Sequence, residues 1–235
     1  VSSTETNTTN DSAAPGTVAV IGAHGKVARL AIPRLAEQGY EVIGVIRNPD
    51  HAGDVEADGA TPAVLDIQEA DEAVIEDLLR SRGVDTLVWS AGAGGGSPER
   101  TWAIDRDAAI RSMDAAAKAG VRHYVMVSYF GAGPDHGVDE DNSFYPYAQA
   151  KTEADAHLES SGLNFTLLRP SRLTLEEATG KIDASSTTAK ETSRDNVAAM
   201  IAASVAHGPA ADAAPLNRVI EFNDGETPIE DVFSA

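Results

Sequence analysis

From Thr17 onward, short apolar runs rich in Val and Ile alternate with longer stretches in which apolar residues return every three to five positions. The short runs read as strands buried on both faces, and the periodic stretches as helices with one buried face. Val18 to Ile21 is the first strand, and Val27, Leu30, Ala31 and Leu35 mark the first helix, which Pro33 is expected to bend. Glu41 to Arg47 is a second strand, closed by Asn48-Pro49, and a weaker third lies around Pro62 to Leu65 and ends at Asp66. Val74, Ile75, Leu78 and Leu79 predict a helix with Arg80 and Arg82 in its last turn and Gly83 as its stop. The fourth strand, Thr86 to Ser90, opens into Ala91 to Gly96, and a helix follows from about Ile104 to Ala119 with Ala109, Met113 and Ala117 on one face. Strand five, His123 to Ser128, leads into a glycine- and acid-rich loop; a helix then runs from Tyr147 through Leu158, and strand six is Asn164 to Leu168. Ser193 is placed to cap a final helix carrying Val197, Ile201 and Val205, and Arg218 to Phe222 supplies a seventh strand. Alternating strands and helices without an internal repeat predict an α/β fold. It is a single domain over residues 17–235, built on one doubly wound parallel sheet of about seven strands.

The unusual residues recur at the strand ends. Gly22-Ala23-His24-Gly25 joins the first strand directly to the first helix, in the form G-x-x-G-x-x-A with Ala28 in the last place. The free N–H groups and positive dipole end of that helix suit a pyrophosphate, although an ordinary glycine turn would look similar. Arg47 ends strand two, Asp66 strand three and Ser128 strand five, and Pro170 follows strand six. Ligands of such sheets bind along this carboxyl edge. The glycine-rich Ala91 to Gly96 lies there too, where close backbone approach to a ligand explains it better than a flexible linker does. Tyr147 and Lys151 stand at i and i+4, one above the other on a helix face. An ammonium beside a phenol is expected to lower the phenol's pKa and fit Tyr147 for proton transfer near neutrality.

Taken together, GAHGKVA, WSAGAGGG, Tyr147-x-x-x-Lys151, VRHYVMVSYFGA, Leu168-Arg169-Pro170 and Ser193 to Val197 resemble an atypical short-chain dehydrogenase/reductase. The similarity is to small NAD(P)H-binding proteins of the NmrA-like and flavin reductase/biliverdin reductase B type, often grouped as NAD(P)-dependent epimerases. It spans about Thr17 to the C-terminus. The resemblance implies a Rossmann-type sheet ordered 3-2-1-4-5-6-7. The cofactor diphosphate would lie on Gly22, His24, Gly25, Lys26 and Val27, and the adenine near Asp66 and Ile67. The nicotinamide would lie between Ala91, Gly92, Ala93, Ser128 and Pro170, Ser171, Arg172. Tyr147 would be the catalytic acid/base, with Lys151 holding the ribose hydroxyls. The chain departs from the pattern in two places. The family's serine lies one or two residues past strand five, where this chain has Tyr129 and Phe130, so Ser128 is either its stand-in or a local cap. The upstream asparagine has no counterpart in the helix from Ile104 to Ala119.

An Asp or Glu at the end of strand two would accept from the ribose 2′-hydroxyl of NAD, whereas Arg47 there suits the 2′-phosphate of NADP. The plainer alternative is that Arg47 solvates the strand end. The expected activity is therefore an NADPH-dependent reductase of a small carbonyl or conjugated substrate. The alternatives are an NAD(P)H-binding redox sensor without turnover and a nucleotide-sugar epimerase or dehydratase. Only 65 residues follow Pro170, too few for the large substrate lobe of longer relatives, so a small lobe is expected.

Charge and composition narrow the partners. Thirty-seven acids against eighteen Lys and Arg, five of them lysine, give a net charge of −19. Such a surface repels nucleic acid and anionic membranes, and neither is expected as a partner. An acidic surface poor in lysine is also the pattern of a high-salt habitat, beside the plainer reading of a soluble acidic surface. The chain has no Cys, and the six His lack ligand spacing, so no metal site is expected. Residues 1–16, rich in Ser, Thr and Asn, read as a disordered extension, without the apolar segment of a signal peptide. The expected location is cytoplasmic, and the expected state a monomer or homodimer.

Overall fold

A computed structural model describes residues 15–95, 97–209 and 216–234. Most of the predicted N-terminal extension therefore lies outside the described residues, as does Gly96 of the second glycine loop. The first strand, β1 (Thr17–Ile21), enters the glycine turn and then α1 (Ala28–Glu37), which runs through Pro33. Next come β2 (Glu41–Ile46), a 3-10 turn (Pro49–His51), α2 (Ala52–Ala57), β3 (Thr61–Val64), α3 (Glu72–Ser81) and β4 (Thr86–Trp89). A continuous helical stretch follows: α4 (Pro98–Thr101), a π-helical segment (Trp102–Ala108) and α5 (Ala109–Ala119). After β5 (His123–Val127) stand α6 (Tyr145–Ser160), β6 (Phe165–Pro170) and three short strands, β7 (Arg172–Thr174), β8 (Lys181–Asp183) and β9 (Glu191–Ser193). The chain ends with α7 (Arg194–Ala206), β10 (Asn217–Asp224), β11 (Thr227–Pro228) and α8 (Ile229–Phe233).

The sheet has nine strands rather than seven, in the order β11-β8-β10-β6-β5-β4-β1-β2-β3. Its seven parallel members keep the expected sequence, with β10 beside β6 as the seventh. The two additions, β8 and β11, are antiparallel and only three and two residues long. Strands of that length carry no periodicity of their own and exist through their pairing. A separate parallel pair, β7 with β9, stands beyond β6.

Successive strand residues point to opposite faces, and each face has its own core. Val18 and Val20 pack towards α1 and α7, while Ala19 and Ile21 pack towards α3 and α5. Ser193 caps α7 as the sequence predicts, its Oγ accepting from the Asn196 N–H at 3.0 Å. The order turns back between β1 and β4, so the loops after these two strands diverge and leave a cleft at their carboxyl ends.

Candidate dinucleotide cleft

The cleft floor is made by the turns after β1 and β4. Gly22 has φ +83°, and a Cβ there would lie 2.7 Å from Ala91 Cα and 2.8 Å from Ala91 N. Only glycine takes this conformation at such close backbone approach. The Gly22 and Ala23 N–H groups donate to Val45 O, which ties the turn to β2. The N–H groups of Lys26 and Val27 find no acceptor among the described residues. They stand at the start of α1 as donors for an anion. This geometry fits a dinucleotide diphosphate.

Two cavities meet on this floor. One, of about 290 Å³, is lined by Gly22, His24, Gly25, Arg47, Asp66, Ile67, Ala91 and Gly92. The other, of about 580 Å³, is lined by Gly25, Lys26, Val27, Ala91, Gly92, Ala93, Ser128, Tyr147 and Lys151. They share Gly25, Ser90, Ala91 and Gly92, so the two form one trough across the switch point. Of the expected site residues, Pro170, Ser171 and Arg172 do not line either cavity. β6 runs two residues beyond the expected Leu168 and carries Pro170 in the sheet. The Ser171 hydroxyl then donates to Asn223 Oδ1 at 2.6 Å, and Arg172 pairs with Glu191. Leu173 takes the wall position instead, together with Arg194, which donates to Thr174 O at 2.7 Å.

Two charged groups on the larger cavity, Lys151 and Asp105, are buried. Lys151 donates from Nζ to Val127 O at 2.9 Å; burial lowers its pKa, and the charges of Asp155 and Asp105 oppose that shift. The expected lowering of the Tyr147 pKa is not found. Desolvation pushes the phenol well above its usual value, and Asp105, Asp155 and Tyr129 push the same way. The lysine is occupied by a backbone carbonyl, while two carboxylates stand near the ring. Tyr147 is accordingly a protonated phenol over the whole neutral range. Ser128 is buried and donates its hydrogen to Asp155 Oδ2 at 2.8 Å, and Arg169 Nε donates to the same oxygen at 3.0 Å. A serine so engaged offers the cavity an acceptor rather than a donor.

Asp105 is the main group that sequence reasoning missed. It lies in the π-helical segment, is 1 % exposed and accepts the Ala93 N–H at 3.0 Å, which fixes the β4 loop. Its carboxyl pKa is raised by burial against the opposing charge of Lys151. The signal was its spacing: Asp105 heads the i, i+4 series Ala109, Met113, Ala117, an acid on an otherwise apolar stripe. π-Segments are frequent at functional positions, and this one occupies the helix in which the asparagine counterpart is lacking. The loop after β3 is fixed as well, since Arg111 donates to Ile67 O and Gln68 O at 3.2 and 2.8 Å. Among the described residues no cluster of His, Asp and Glu is placed to hold a metal ion, and no helix is long and apolar enough to cross a membrane.

The comparisons agree with this fold. A UPF0659 protein of Saccharomyces cerevisiae is 31% identical over 232 residues, covering 92% of this chain and 96% of the relative. A Bacillus halodurans protein provisionally named an NAD-dependent epimerase/dehydratase superposes with a TM-score of 0.81 at 30% identity, over 93% of this chain and 98% of its own. ChuY of Escherichia coli O157:H7, an anaerobillin reductase, superposes with a TM-score of 0.69 at 27% identity, over 89% of this chain and 98% of its own. The NAD(P)H-binding family model matches residues 22–208, from the glycine turn past the end of α7. With its phosphate turn, switch-point trough and atypical short-chain dehydrogenase/reductase pattern, the chain belongs to the NAD(P)H-binding family.

Proposed function

We propose that the protein is an NADPH-dependent oxidoreductase that reduces a small carbonyl or conjugated substrate. The observation that carries this reading is the placement of a protonated Tyr147 and a buried Lys151 in a cavity continuous with the dinucleotide trough. The Lys26 and Val27 N–H groups and the α1 dipole hold the diphosphate, Arg47 the 2′-phosphate, and Asp66 with Ile67 flanks the adenine. Ala91 to Ala93 and Ser128 border the nicotinamide end. When bound, the nicotinamide supplies the hydride. Tyr147 gives its proton to the substrate oxygen or carbon that becomes basic as reduction proceeds. Lys151, one turn along α6, holds the ribose hydroxyls at the nicotinamide end. Phe144, whose ring centroid is 5.3 Å from that of Tyr147, and Leu173 give this side of the cavity an apolar wall.

ChuY, an anaerobillin reductase among the neighbours, supports the reductase reading. One observation favours a second reading, an NAD(P)H-binding sensor without turnover: the Ser128 hydroxyl is committed to Asp155 and does not polarise a substrate carbonyl. The test is NADPH oxidation by purified protein across carbonyls, quinones, flavins and conjugated tetrapyrroles, with nucleotide sugars as the epimerase control. With any substrate accepted, Tyr147→Phe lowers turnover ~10²–10⁴-fold while NADPH affinity stays within a few fold. An unchanged rate removes Tyr147 from the mechanism. If no compound oxidises bound NADPH, the sensor stands.

A further inference from the structure

Two imidazoles at the end of β2 have no part in the mechanism above. His24, in the turn after β1, and His51, closing the 3-10 turn after β2, stack face to face with ring centroids 3.6 Å apart and planes 12° apart. Both line the smaller cavity, beside Arg47 and Asn48. His24 Nε2 lies 2.8 Å from Asp54 Oδ2 and is thereby held in place. The His51 ring makes no side-chain hydrogen bond among the described residues, so its nitrogens remain free to meet a ligand. The Asp54 carboxyl is held below its usual pKa, first by the His24 hydrogen bond and then by Arg29. Arg29, 3.5 Å from Asp54, is also bound by Asp58 at 2.6 Å, so one guanidinium serves two carboxylates. A carboxylate thus adjoins the stack through His24, and both rings line the cavity.

The end of β2 is where the adenosine ribose of a dinucleotide lies, and its 2′-substituent is read there. We propose that His51, held by its stack on His24, is a second ligand of the 2′-phosphate beside Arg47. It binds as the imidazolium, so discrimination between NADPH and NADH depends on pH. This rests on the NADPH reading and adds to it a residue and a proton. The charged and titratable groups around the ring are His24 on the phosphate turn, Arg29 on α1, Arg47 at the β2 end, Asp50 on the same 3-10 turn, Asp54 on α2 and Asp66 after β3. Of the residue types named, histidine is the one whose side chain can take up a proton on meeting a phosphate between neutral and mildly alkaline pH. The phosphate's own second ionisation, near pH 6, is complete above neutrality and adds nothing to that window.

The experiment is fluorescence titration of NADPH and of NADH between about pH 7 and 9, with wild type and His51→Phe. Phenylalanine keeps a ring on the His24 stack and removes both nitrogens. In the wild type, NADPH affinity falls with rising pH, by at most about tenfold per unit for one proton taken up, while NADH affinity stays flat. His51→Phe lowers NADPH affinity at neutral pH by about tenfold, abolishes the slope and leaves NADH within about twofold. Equal losses for both dinucleotides would make His51 an adenine platform and overturn the proposal, as would a slope that survives in His51→Phe. Wild-type protein that binds NADPH no tighter than NADH fails the underlying reading before any variant is made, so the two failures are distinct.

Discussion

The contact between the two cleft loops predicts opposite outcomes for two Gly→Ala substitutions. Gly22→Ala puts a methyl group 2.7 Å from Ala91 Cα, 2.8 Å from Ala91 N and 2.9 Å from Ser90 C, all backbone atoms at the end of a buried strand. Neither chain gives way cheaply, because Gly22 N is bonded to Val45 O and Ser90 N to Ile21 O. A left-handed conformation costs an L-residue about 1–2 kcal/mol, and overpacking adds about 1–3 kcal/mol. For a chain of 235 residues, a total of about 2–5 kcal/mol lowers the melting temperature by about 4–20 °C. The displaced turn also misdirects the Lys26 and Val27 N–H groups, so dinucleotide affinity drops together with stability. Gly53, in α2, has ordinary φ, and a methyl group added there would meet nothing within 4 Å. Gly53→Ala therefore gains about 0.5–1 kcal/mol, or about 1–4 °C. Differential scanning calorimetry with and without NADPH reads both. A Gly22→Ala protein that melts and binds like wild type would refute the close-approach argument.

Two further predictions concern pH. Burial lowers the pKa of His123 from 6.5 to about 4, with Arg218 adding to the shift, while its Nε2 stays 3.0 Å from Thr166 Oγ1. A depressed folded pKa means that stability is intact above pH 6.5 and is lost as pH falls towards 4; the shift corresponds to about 3 kcal/mol. His123→Gln should flatten that acid slope in thermal melts. Asp105 has the opposite sign: its pKa is raised by burial, so its contribution is present below the unfolded carboxyl range and lost as pH rises through the folded value. Asp105→Asn keeps an acceptor for the Ala93 N–H and removes the buried charge. Its stability relative to wild type should grow as pH is raised from acid to neutral, and a constant difference would show that the charge is not penalised.

The parallel sheet was legible because its central strands, β1, β2, β4, β5 and β6, are largely apolar runs, buried on both faces. The glycine turn was legible for a similar reason, since strand, glycine and helix follow one another with no loop between them. What escaped depends on distant partners. β8 and β11 are too short to show a pattern, and α2 is a six-residue helix in a stretch that carries little apolar spacing. The helix expected from Ile104 starts at Pro98, with Ser97 as its cap, and its π-segment turns Asp105 towards the cavity. Local propensity does not forecast an insertion of that kind. The Tyr147/Lys151 pair was legible from its spacing, but the sign of the tyrosine's shift was not. It is set by burial, by Asp105 and by Asp155, and Asp155 was not recognised as part of the site. Ser128 was found at its strand end, but its hydroxyl direction depends on Asp155, 27 residues away. Extension of β6 through Pro170 carried Ser171 and Arg172 away from the trough and brought Leu173 in their place.

The proposed preference for NADPH rests most on Arg47 at the end of β2, exposed on the trough that also holds the glycine turn. A guanidinium–phosphate contact is worth about 1.5–3 kcal/mol net, or roughly 10- to 150-fold in affinity. The net charge of −19 opposes any anion, so a preference for the more highly charged dinucleotide must come from local groups. Parallel fluorescence titrations of NADPH and NADH at neutral pH, with wild type and Arg47→Ala, measure this directly. The expected result is that the wild type binds NADPH at least about tenfold tighter and that Arg47→Ala loses most of this margin while holding NADH unchanged. Equal affinities in the wild type, or a preference undiminished by the loss of Arg47, would contradict it.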